Sequence, residues 1–440
     1  MSKCKPKKRI LCFLLFFVMM FVSMRSIHAD AAPNDKPIVI VIDAGHGGKS
    51  NGNEYFDLKE KDLNLAVAKS IKKNLETFEG IKVYLTRKDD KDANYTNRVD
   101  YAKVKKADYL ISLHFNATEA HMQAGSMIYV SAIPDLRKKM MPIAQSVSES
   151  LEGIGIFANG VYTCVDEDGH DYLGFLRKCE EKKVSGMIIE HLFMDREEYL
   201  PLINSPEALD TIGKADALAI ARALKLNSNS TIYHFTDEPD IETTEPYELP
   251  SNYMYPDSAS VAVKEYEQIT NRAANIVFDV NASDPLGQLT SYRLSTDGGI
   301  TFGAEKDFAY GGKSEFSRIL RKGDGQKIVI LALNQDHLGC VSNCLDVWDE
   351  IKLDRDFDKH KEEALLKEQE EEQGSETASE ENPEEVSSEE ETTEDSSVTD
   401  HDPHLNDSQK VVVIFGAFAG LAIAVLLYFI YRKENVSGKE

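Results

Sequence analysis

Hydrophobic and polar positions follow one pattern between Pro37 and Leu226, where short apolar runs alternate with stretches that carry apolar residues at helical spacing. This alternation is typical of strand–helix–strand units. Strands are predicted at Ile38 to Ile42, Ile81 to Leu85, Tyr109 to Leu113, Ser126 to Ser131, Gly160 to Cys164 and Gly186 to Ile189. Helices are predicted from Leu63 to Leu75 and around Asn97 to Lys105, Ile143 to Leu151 and Ala208 to Leu224.

The predicted strands of this segment have the character of buried strands. Ile38 to Ile42 and Met187 to Ile189 are apolar on consecutive residues, as expected for strands that are covered on both faces. The pattern therefore predicts an α/β domain over residues 37–226, with a mostly parallel sheet of roughly six strands flanked by helices.

A different pattern follows Leu226. Residues 227–250 are rich in Asn, Ser, Thr, Glu and Pro without periodicity, which predicts a linker. Between 251 and 353 the sequence predicts a small all-β, sandwich-like domain, and its segment Ser291 to Phe302 resembles immunoglobulin-like or fibronectin-like modules. The predicted strands are Ala274 to Val280, Ser291 to Ser295, Lys327 to Leu333 and Cys344 to Trp348, with a hairpin turn at Asp297 to Gly299.

Two further apolar segments lie near the ends of the chain. The first, Ile10 to Val22, follows a basic start and precedes small residues, which predicts a cleaved secretory signal over 1–31, with an uncleaved anchor as the alternative. The second, Val411 to Tyr431, is uncharged and long enough to cross a bilayer of about 30 Å, so it predicts a transmembrane helix. Arg432 and Lys433 begin a tail, 432–440, that is expected inside the cell. The sequence thus predicts an exported protein anchored in the membrane by a single C-terminal span.

The formal net charge of −25 is concentrated in one stretch. Most of it lies between Asp354 and Asp407, which is rich in Glu, Ser and Thr and predicts a disordered spacer over 354–408, with calcium binding as the alternative. Residues 37–226 are nearly neutral, so the sequence predicts no nucleic-acid partner. The four cysteines beyond the predicted signal show no CxxC pair, and their spacing determines neither their pairing nor their oxidation: Cys164, Cys179, Cys340 and Cys344.

Candidate chemistry is concentrated where three predicted strands end. The first strand runs into Asp43 to Gly48, with the sequence Asp-Ala-Gly-His-Gly-Gly, the strand from Tyr109 ends at His114, and the strand from Gly186 ends at Glu190. Because right-handed crossovers bring the carboxyl ends of parallel strands to one edge, His46 and His114 are expected on the same rim as Glu190. Glu60 begins the next helix, where favouring the helix N-terminus is the alternative explanation.

Two imidazoles and one carboxylate suit zinc, which leaves a coordination position to water when three protein groups bind it. Zinc lowers the pKa of that water to about 7. A nearby base is still required, and Glu190 is expected to take the proton and pass it to the leaving nitrogen.

Taken together, these segments resemble the zinc-dependent N-acetylmuramoyl-L-alanine amidases of the amidase type 3 family. The resemblance covers roughly Pro37 to Leu226 and rests on Asp43 to Gly48, Glu60 to Asp62, Leu85 to Arg87, Asn97 to Val99, Ser112 to Ala117 and Ile189 to Glu190. It implies that His46, Glu60 and His114 bind Zn²⁺ and that Glu190 is the catalytic carboxylate. It also implies a peptidoglycan substrate, cleaved at the amide between N-acetylmuramic acid and L-alanine, and a catalytic domain that faces the cell wall.

The sequence departs from that family after Glu190. His191 to Asp195 reads His-Leu-Phe-Met-Asp, where many members have residues like Gly-Gly-Phe-Ile-Ser-Asn. If the strand continues, His191 projects away from Glu190 and is expected to serve packing rather than catalysis. His121 and His170 are expected to be solvated.

Two other functions remain open from the sequence. One is a catalytically inactive protein that binds the cell wall or acts as a scaffold, and the other is a zinc hydrolase for another wall amide. The intact Glu190 favours an active enzyme over the first alternative. The products released from peptidoglycan distinguish the second.

Overall fold

The computed structural model describes residues 36–228, 232–323 and 326–377 of the 440-residue chain. The chain divides into two compact units after Lys367. An α/β module and a β module both belong to the first unit.

A seven-stranded sheet lies at the centre of the α/β module. In spatial order its strands are β4 (Ile81–Leu85), β1 (Ile38–Ala44), β5 (Tyr109–Asn116), β8 (Gly186–Phe193), β6 (Ser126–Val130), β7 (Ala158–Val165) and β9 (Tyr247–Pro250). Neighbouring strands are parallel except β6 and β8, which are antiparallel. The sheet is therefore mostly parallel, as predicted, with seven strands instead of about six.

Helices cover both faces of this sheet. They are α1 (Glu60–Leu75), α2 (Tyr95–Lys105), α3 (Pro134–Gly153), α4 (Gly174–Lys182), α5 (Leu200–Ile203) and α6 (Pro206–Ala223). In β1, Ile40 and Ile42 enter the core under α1, α3 and α6, while Val41 enters the opposite core with residues of α2 and α4. Burial on both faces explains why β1 is apolar on consecutive residues. A small hairpin, β2 (Glu54–Tyr55) and β3 (Leu58–Lys59), leads into α1.

The segment predicted as a linker contributes a strand to the sheet. Tyr247–Pro250 pairs in parallel with β7, and Leu249 is fully buried against that module. The other three residues of the strand are exposed, so the segment lacks the apolar run by which the other strands are recognised. The linker over 227–250 is therefore shorter than predicted, because its end is part of the sheet.

Two antiparallel sheets form the β module, in agreement with the predicted sandwich. One sheet contains β10 (Ser258–Thr270), β11 (Ala273–Ser283) and β14 (Lys313–Arg321). The other contains β12 (Leu289–Ser295), β13 (Glu305–Asp307), β15 (Lys327–Asn334) and β16 (Gly339–Val341), with β17 (Leu345–Asp346) beside β15. The strand predicted from Cys344 to Trp348 is only partly correct. Val347–Glu350 form a short helix, α7, which the Asp346 side chain caps by accepting from Trp348 N.

The two modules share a hydrophobic core. Val329 and Leu331 of β15 belong to the same buried cluster as Ile40 of β1. Aromatic rings join the modules at Phe157 and Phe302, whose centroids are 5.5 Å apart, and at Tyr247 and His337, which stack at 4.4 Å. The β module is thus packed directly onto the α/β module.

The described cysteines carry free thiols. Cys164, Cys179 and Cys340 are buried, whereas Cys344 is exposed. The pairing and oxidation that the sequence left open are thus answered for these four residues, which form no disulfide bond in the structure.

The predicted disordered spacer over 354–408 begins with a helix, α8 (Phe357–Thr377). Its first turns are rich in Glu, Lys, Ala and Leu, which are strong helix formers. Lys359 and Glu363 add an ion pair at i,i+4 spacing, with Nζ and Oε1 3.7 Å apart. The remainder of the predicted spacer lies outside the described residues.

No helix within 36–228, 232–323 or 326–377 combines the length and apolar character that crossing a bilayer requires. The fold prediction is therefore corrected: a C-terminal transmembrane helix is not part of the described structure. Membrane anchoring through such a helix is likewise unsupported, and neither prediction is retained. The segments on which the sequence predictions rested, Val411 to Tyr431 and the signal over 1–31, lie outside the described residues.

The pairing of β9 leads to a test of stability. We expect Leu249→Ala to lower the free energy of unfolding by about 2–5 kcal/mol, because it removes a fully buried side chain from the sheet. The neighbouring Glu248→Ala, at an exposed position of the same strand, should change it by no more than about 0.5 kcal/mol. Urea denaturation of the full chain measures both. Equal effects of the two substitutions would show that β9 does not pack on β7.

Candidate metal centre

The turn after β1 presents the first candidate ligand. Gly47 and Gly48 have φ values of 128° and 56°, a region that favours glycine because it has no Cβ. His46 itself has a φ of 61°, an uncommon conformation for a residue with a side chain. Its Nδ1 lies 2.9 Å from Ser50 Oγ. The ring is therefore held from one side while Nε2 faces Glu60.

Glu60 is the first residue of α1, and its carboxylate lies between two imidazoles. Its Oε1 is 2.8 Å from His114 Nδ1 and 3.1 Å from His46 Nε2. Its Oε2 accepts a hydrogen bond from Asn53 N at 2.9 Å. Burial opposes ionisation of this group, but hydrogen bonds with the two histidines outweigh it and hold the pKa of Glu60 well below its usual range.

His114 lies near the end of β5, beside the turn that carries His46. The two rings approach edge to face, with centroids 5.0 Å apart. Burial lowers the pKa of His114, but the hydrogen bond with Glu60 and nearby negative charge raise it overall. One candidate donor atom each from His46, Glu60 and His114 lies within 4.8 Å of the others. The structure thus brings these three sequence-predicted residues together.

Glu190 lies in the adjacent strand, directly opposite His114 in the register of β5 and β8. Its Oε2 is buried and has no hydrogen-bond partner among the described residues. Burial, followed by the negative charge of Glu60, raises the pKa of Glu190 to about 7, although His114 acts in the opposite direction. A carboxyl group with this pKa exchanges a proton readily near neutral pH.

Residues that follow β9 cover the sheet beside Glu190. The antiparallel register of β6 and β8 places Met127 directly opposite Glu190. Tyr255 donates a hydrogen bond to Met127 Sδ at 3.3 Å, and its ring lies 6.4 Å from that of Phe193. Burial raises the pKa of Tyr253, and the negative charge of Glu190 makes a smaller contribution in the same direction. The start of the β module therefore helps to keep water from this side of the sheet.

Buried polar groups hold the turn in place from below. Asp43 is 1% exposed and accepts hydrogen bonds from Arg98 Nη1 at 2.6 Å and Ser112 Oγ at 2.7 Å. Arg98 also donates to the carbonyl oxygen of His46, and Arg87 donates to that of Gly45. Both arginines therefore have structural roles, since their hydrogen bonds hold the backbone of the turn. The sequence interpretation missed Asp43, although a charged residue at the end of an apolar strand is a visible signal.

The other histidines of this edge do not join the cluster. His121 and His170 are each half-exposed, and they pair with Asp195 and Glu180. His191 is fully buried on the opposite face of the sheet from Glu190. Its position agrees with the predicted packing role, but it also forms polar contacts that the sequence interpretation did not include.

A cavity of about 220 Å³ opens beside the two imidazoles. It is lined by Asp43, Gly45, His46, Ser50, Asp92, Ala93, Asn94, Tyr95, Arg98 and His114. The cluster is therefore accessible to a ligand from solvent.

Comparison with known proteins places the same segment in one family. A family model described as N-acetylmuramoyl-L-alanine amidase matches residues 40–222. An endolysin of Bacillus phage SPP1 is 28% identical over 194 residues, which cover 44% of this chain and 68% of the phage protein. The N-acetylmuramoyl-L-alanine amidase AmiC of Escherichia coli is 30% identical over 127 residues, covering 28% of this chain and 30% of AmiC.

Among solved structures, the amidase AmiC2 of Nostoc punctiforme aligns with a TM-score of 0.37 and 25% identity, covering 42% of this chain and 97% of that one. The matched family segment contains His46, Glu60, His114 and Glu190, with the strands and helix that carry them. Residues 40–222 therefore form a domain that matches the N-acetylmuramoyl-L-alanine amidase family, amidase type 3.

Proposed function

We propose that residues 37–226 form a zinc-dependent amidase that hydrolyses the amide between N-acetylmuramic acid and L-alanine in peptidoglycan. The observation that carries this proposal is the convergence of His46, Glu60 and His114 within 4.8 Å, with Glu190 in the adjacent strand. The match of residues 40–222 to the amidase family supports the choice of substrate.

The three residues fit a zinc ion in chemistry and spacing. Zinc accepts imidazole nitrogen and carboxylate oxygen, and two donor atoms at about 2.0–2.1 Å from a tetrahedral ion lie about 3.4 Å apart. Glu60 Oε1 lies 3.1 Å from His46 Nε2 and 2.8 Å from His114 Nδ1. Ser50 at the other nitrogen of His46 supplies the outer partner that metal-binding histidines generally have.

Zinc bound there would polarise the substrate carbonyl and lower the pKa of a coordinated water to about 7. Glu190, whose Oε2 has no other partner among the described residues, is suited to take the proton of the attacking water. It would then protonate the L-alanine nitrogen as the C–N bond breaks. The products are a muramic acid carboxylate and a stem peptide with a free amino group.

The first test concerns the space between the turn and His114. A Cβ at Gly45 would lie 2.4 Å from His114 Cε1 and 2.7 Å from Leu113 O. We expect Gly45→Ala to displace the imidazole and weaken zinc binding at least about tenfold, measured by competition with a chromophoric chelator. Gly153→Ala is the matched control, since nothing lies within 4 Å of the added carbon there. Unchanged affinity in Gly45→Ala would argue against His114 as a ligand.

The second test addresses the reaction. The full chain incubated with peptidoglycan should release stem peptides that begin with L-alanine, identified by mass spectrometry. A zinc chelator should abolish this release, and added zinc should restore it. Persistent release after complete removal of the metal would rule out the zinc mechanism, and different products would identify another bond as the target.

Glu190→Gln separates the base from the metal. We expect this substitution to lower kcat by about 10²–10⁴-fold while the zinc content stays at the wild-type level, because Glu190 is not one of the proposed ligands. Glu152→Gln, at an exposed position near the end of α3, serves as the control and should retain full activity. A fully active Glu190→Gln enzyme would exclude the proposed proton transfer.

A further inference from the structure

A fully buried polar pair lies on the face of the sheet opposite Glu190. His191 in β8 and Asp216 in α6 are both 0% exposed. His191 Nε2 lies 2.9 Å from Asp216 Oδ2, and Nδ1 lies 3.0 Å from the carbonyl oxygen of His114. The His191 ring stacks on Phe115 with centroids 5.1 Å apart. The pair thus reaches the main chain of a proposed zinc ligand from behind.

The direction of these hydrogen bonds follows from their chemistry. A carbonyl oxygen only accepts, so His191 Nδ1 carries a hydrogen and donates it to His114. One further proton lies between Nε2 and Asp216, whether it belongs to the imidazolium or to the carboxyl group. In either case Asp216 fixes the ring so that Nδ1 faces the His114 carbonyl.

The contact lies at an irregularity between β5 and β8. His114 pairs with Glu190, but the next pair is Asn116 with Phe193. Two residues of β8, His191 and Leu192, therefore oppose the single residue Phe115. Such a bulge disturbs the backbone ladder and redirects side chains, and it is common beside active sites. At this point the His191 side chain supplies a hydrogen bond between the two strands.

Stability alone is a poor explanation for this arrangement. A buried ion pair is often no more stabilising than apolar residues of similar volume, because both groups lose their hydration. Here Asp216 Oδ1 has no hydrogen-bond partner among the described residues, which adds to that cost. The contact with the His114 main chain distinguishes the pair from ordinary core packing.

We propose that His191, oriented by Asp216, is a positioning residue for the metal centre. Its Nδ1–H donates a hydrogen bond to the His114 carbonyl oxygen. Because His191 follows Glu190 in the chain, this bond links β8, which carries the proposed base Glu190, to β5, which carries the proposed ligand His114. The His114 imidazole and the Glu190 carboxyl group are thereby kept in register at the cluster. This inference rests on the proposed zinc amidase function.

Two conservative substitutions separate positioning from stability. In His191→Asn, the side-chain amide nitrogen takes the place of Nδ1 and keeps the donor to His114, but it leaves Asp216 without a partner. In His191→Gln, the amide reaches the place of Nε2 and keeps a partner for Asp216, but the donor to His114 is lost. His191→Asn should therefore keep more of the function but less of the stability than His191→Gln.

Three properties of the full chain are measured. Chelator competition gives the zinc affinity, and urea unfolding gives the stability. Assays on peptidoglycan give kcat and KM. We expect His191→Gln to bind zinc at least about tenfold more weakly than wild type. Its kcat should fall by a larger factor than its KM changes. His191→Asn should stay within about threefold of wild type in zinc affinity, although it unfolds at lower urea concentration. The absorption spectrum of the cobalt-substituted protein should shift in His191→Gln alone.

Three results would show that the positioning role is wrong. The zinc affinity could be lower in whichever variant is less stable, it could fall equally in both variants, or it could be unchanged in His191→Gln. Should His191→Asn fail to fold, the double variant with Asp216→Asn removes the stranded carboxylate and provides the same comparison. A wild-type protein that binds no zinc and releases no stem peptide would overturn the proposed function, and this inference with it. If the wild type binds zinc and releases stem peptides, and His191→Gln does so with the same zinc affinity and kcat, this inference alone is overturned.

Discussion

The candidate centre depends on the carboxylate of Glu60 remaining ionised in a buried position. Two imidazoles and a backbone amide surround it, and their hydrogen bonds compensate for the hydration that burial removes. This constraint fixes where α1 begins, how the turn at His46 is shaped and how closely β5 approaches that turn. The buried Asp43 and Arg98 pair below it holds the turn to the same geometry.

Glu190 depends on the opposite condition, because its carboxyl group has few partners. One oxygen is unpaired among the described residues, and burial raises its pKa to about 7. Two carboxyl groups within one site thus differ in proton affinity, because hydrogen-bond donors surround Glu60 whereas Glu190 is buried with one oxygen that no donor among the described residues reaches. A ligand and a general base require this division of roles.

Six of the seven sheet strands and the helices α1, α2, α3 and α6 could be predicted because they carry continuous apolar runs or a helical period. The candidate ligands could be predicted because they follow buried strands, where nothing in strand stability calls for a histidine or a glutamate. Tyr247–Pro250 was missed because only Leu249 of its four residues is buried. The contact between His191 and Asp216 joins residues 25 positions apart, and no periodicity links them. The bulge that directs His191 to the His114 carbonyl becomes visible only when the strands are paired.

The continuity of the core across the two modules bears on how such a chain can diversify. Because β15 contributes side chains to the cluster around β1 and β9 completes the sheet, the junction is not a boundary at which one half can be exchanged freely for another. A transplanted β module, together with the segment that leads into it, would have to supply a matching Leu249, Tyr255 and β15 surface. Recombination between relatives should therefore preserve this pairing as a unit, with the two parts evolving together.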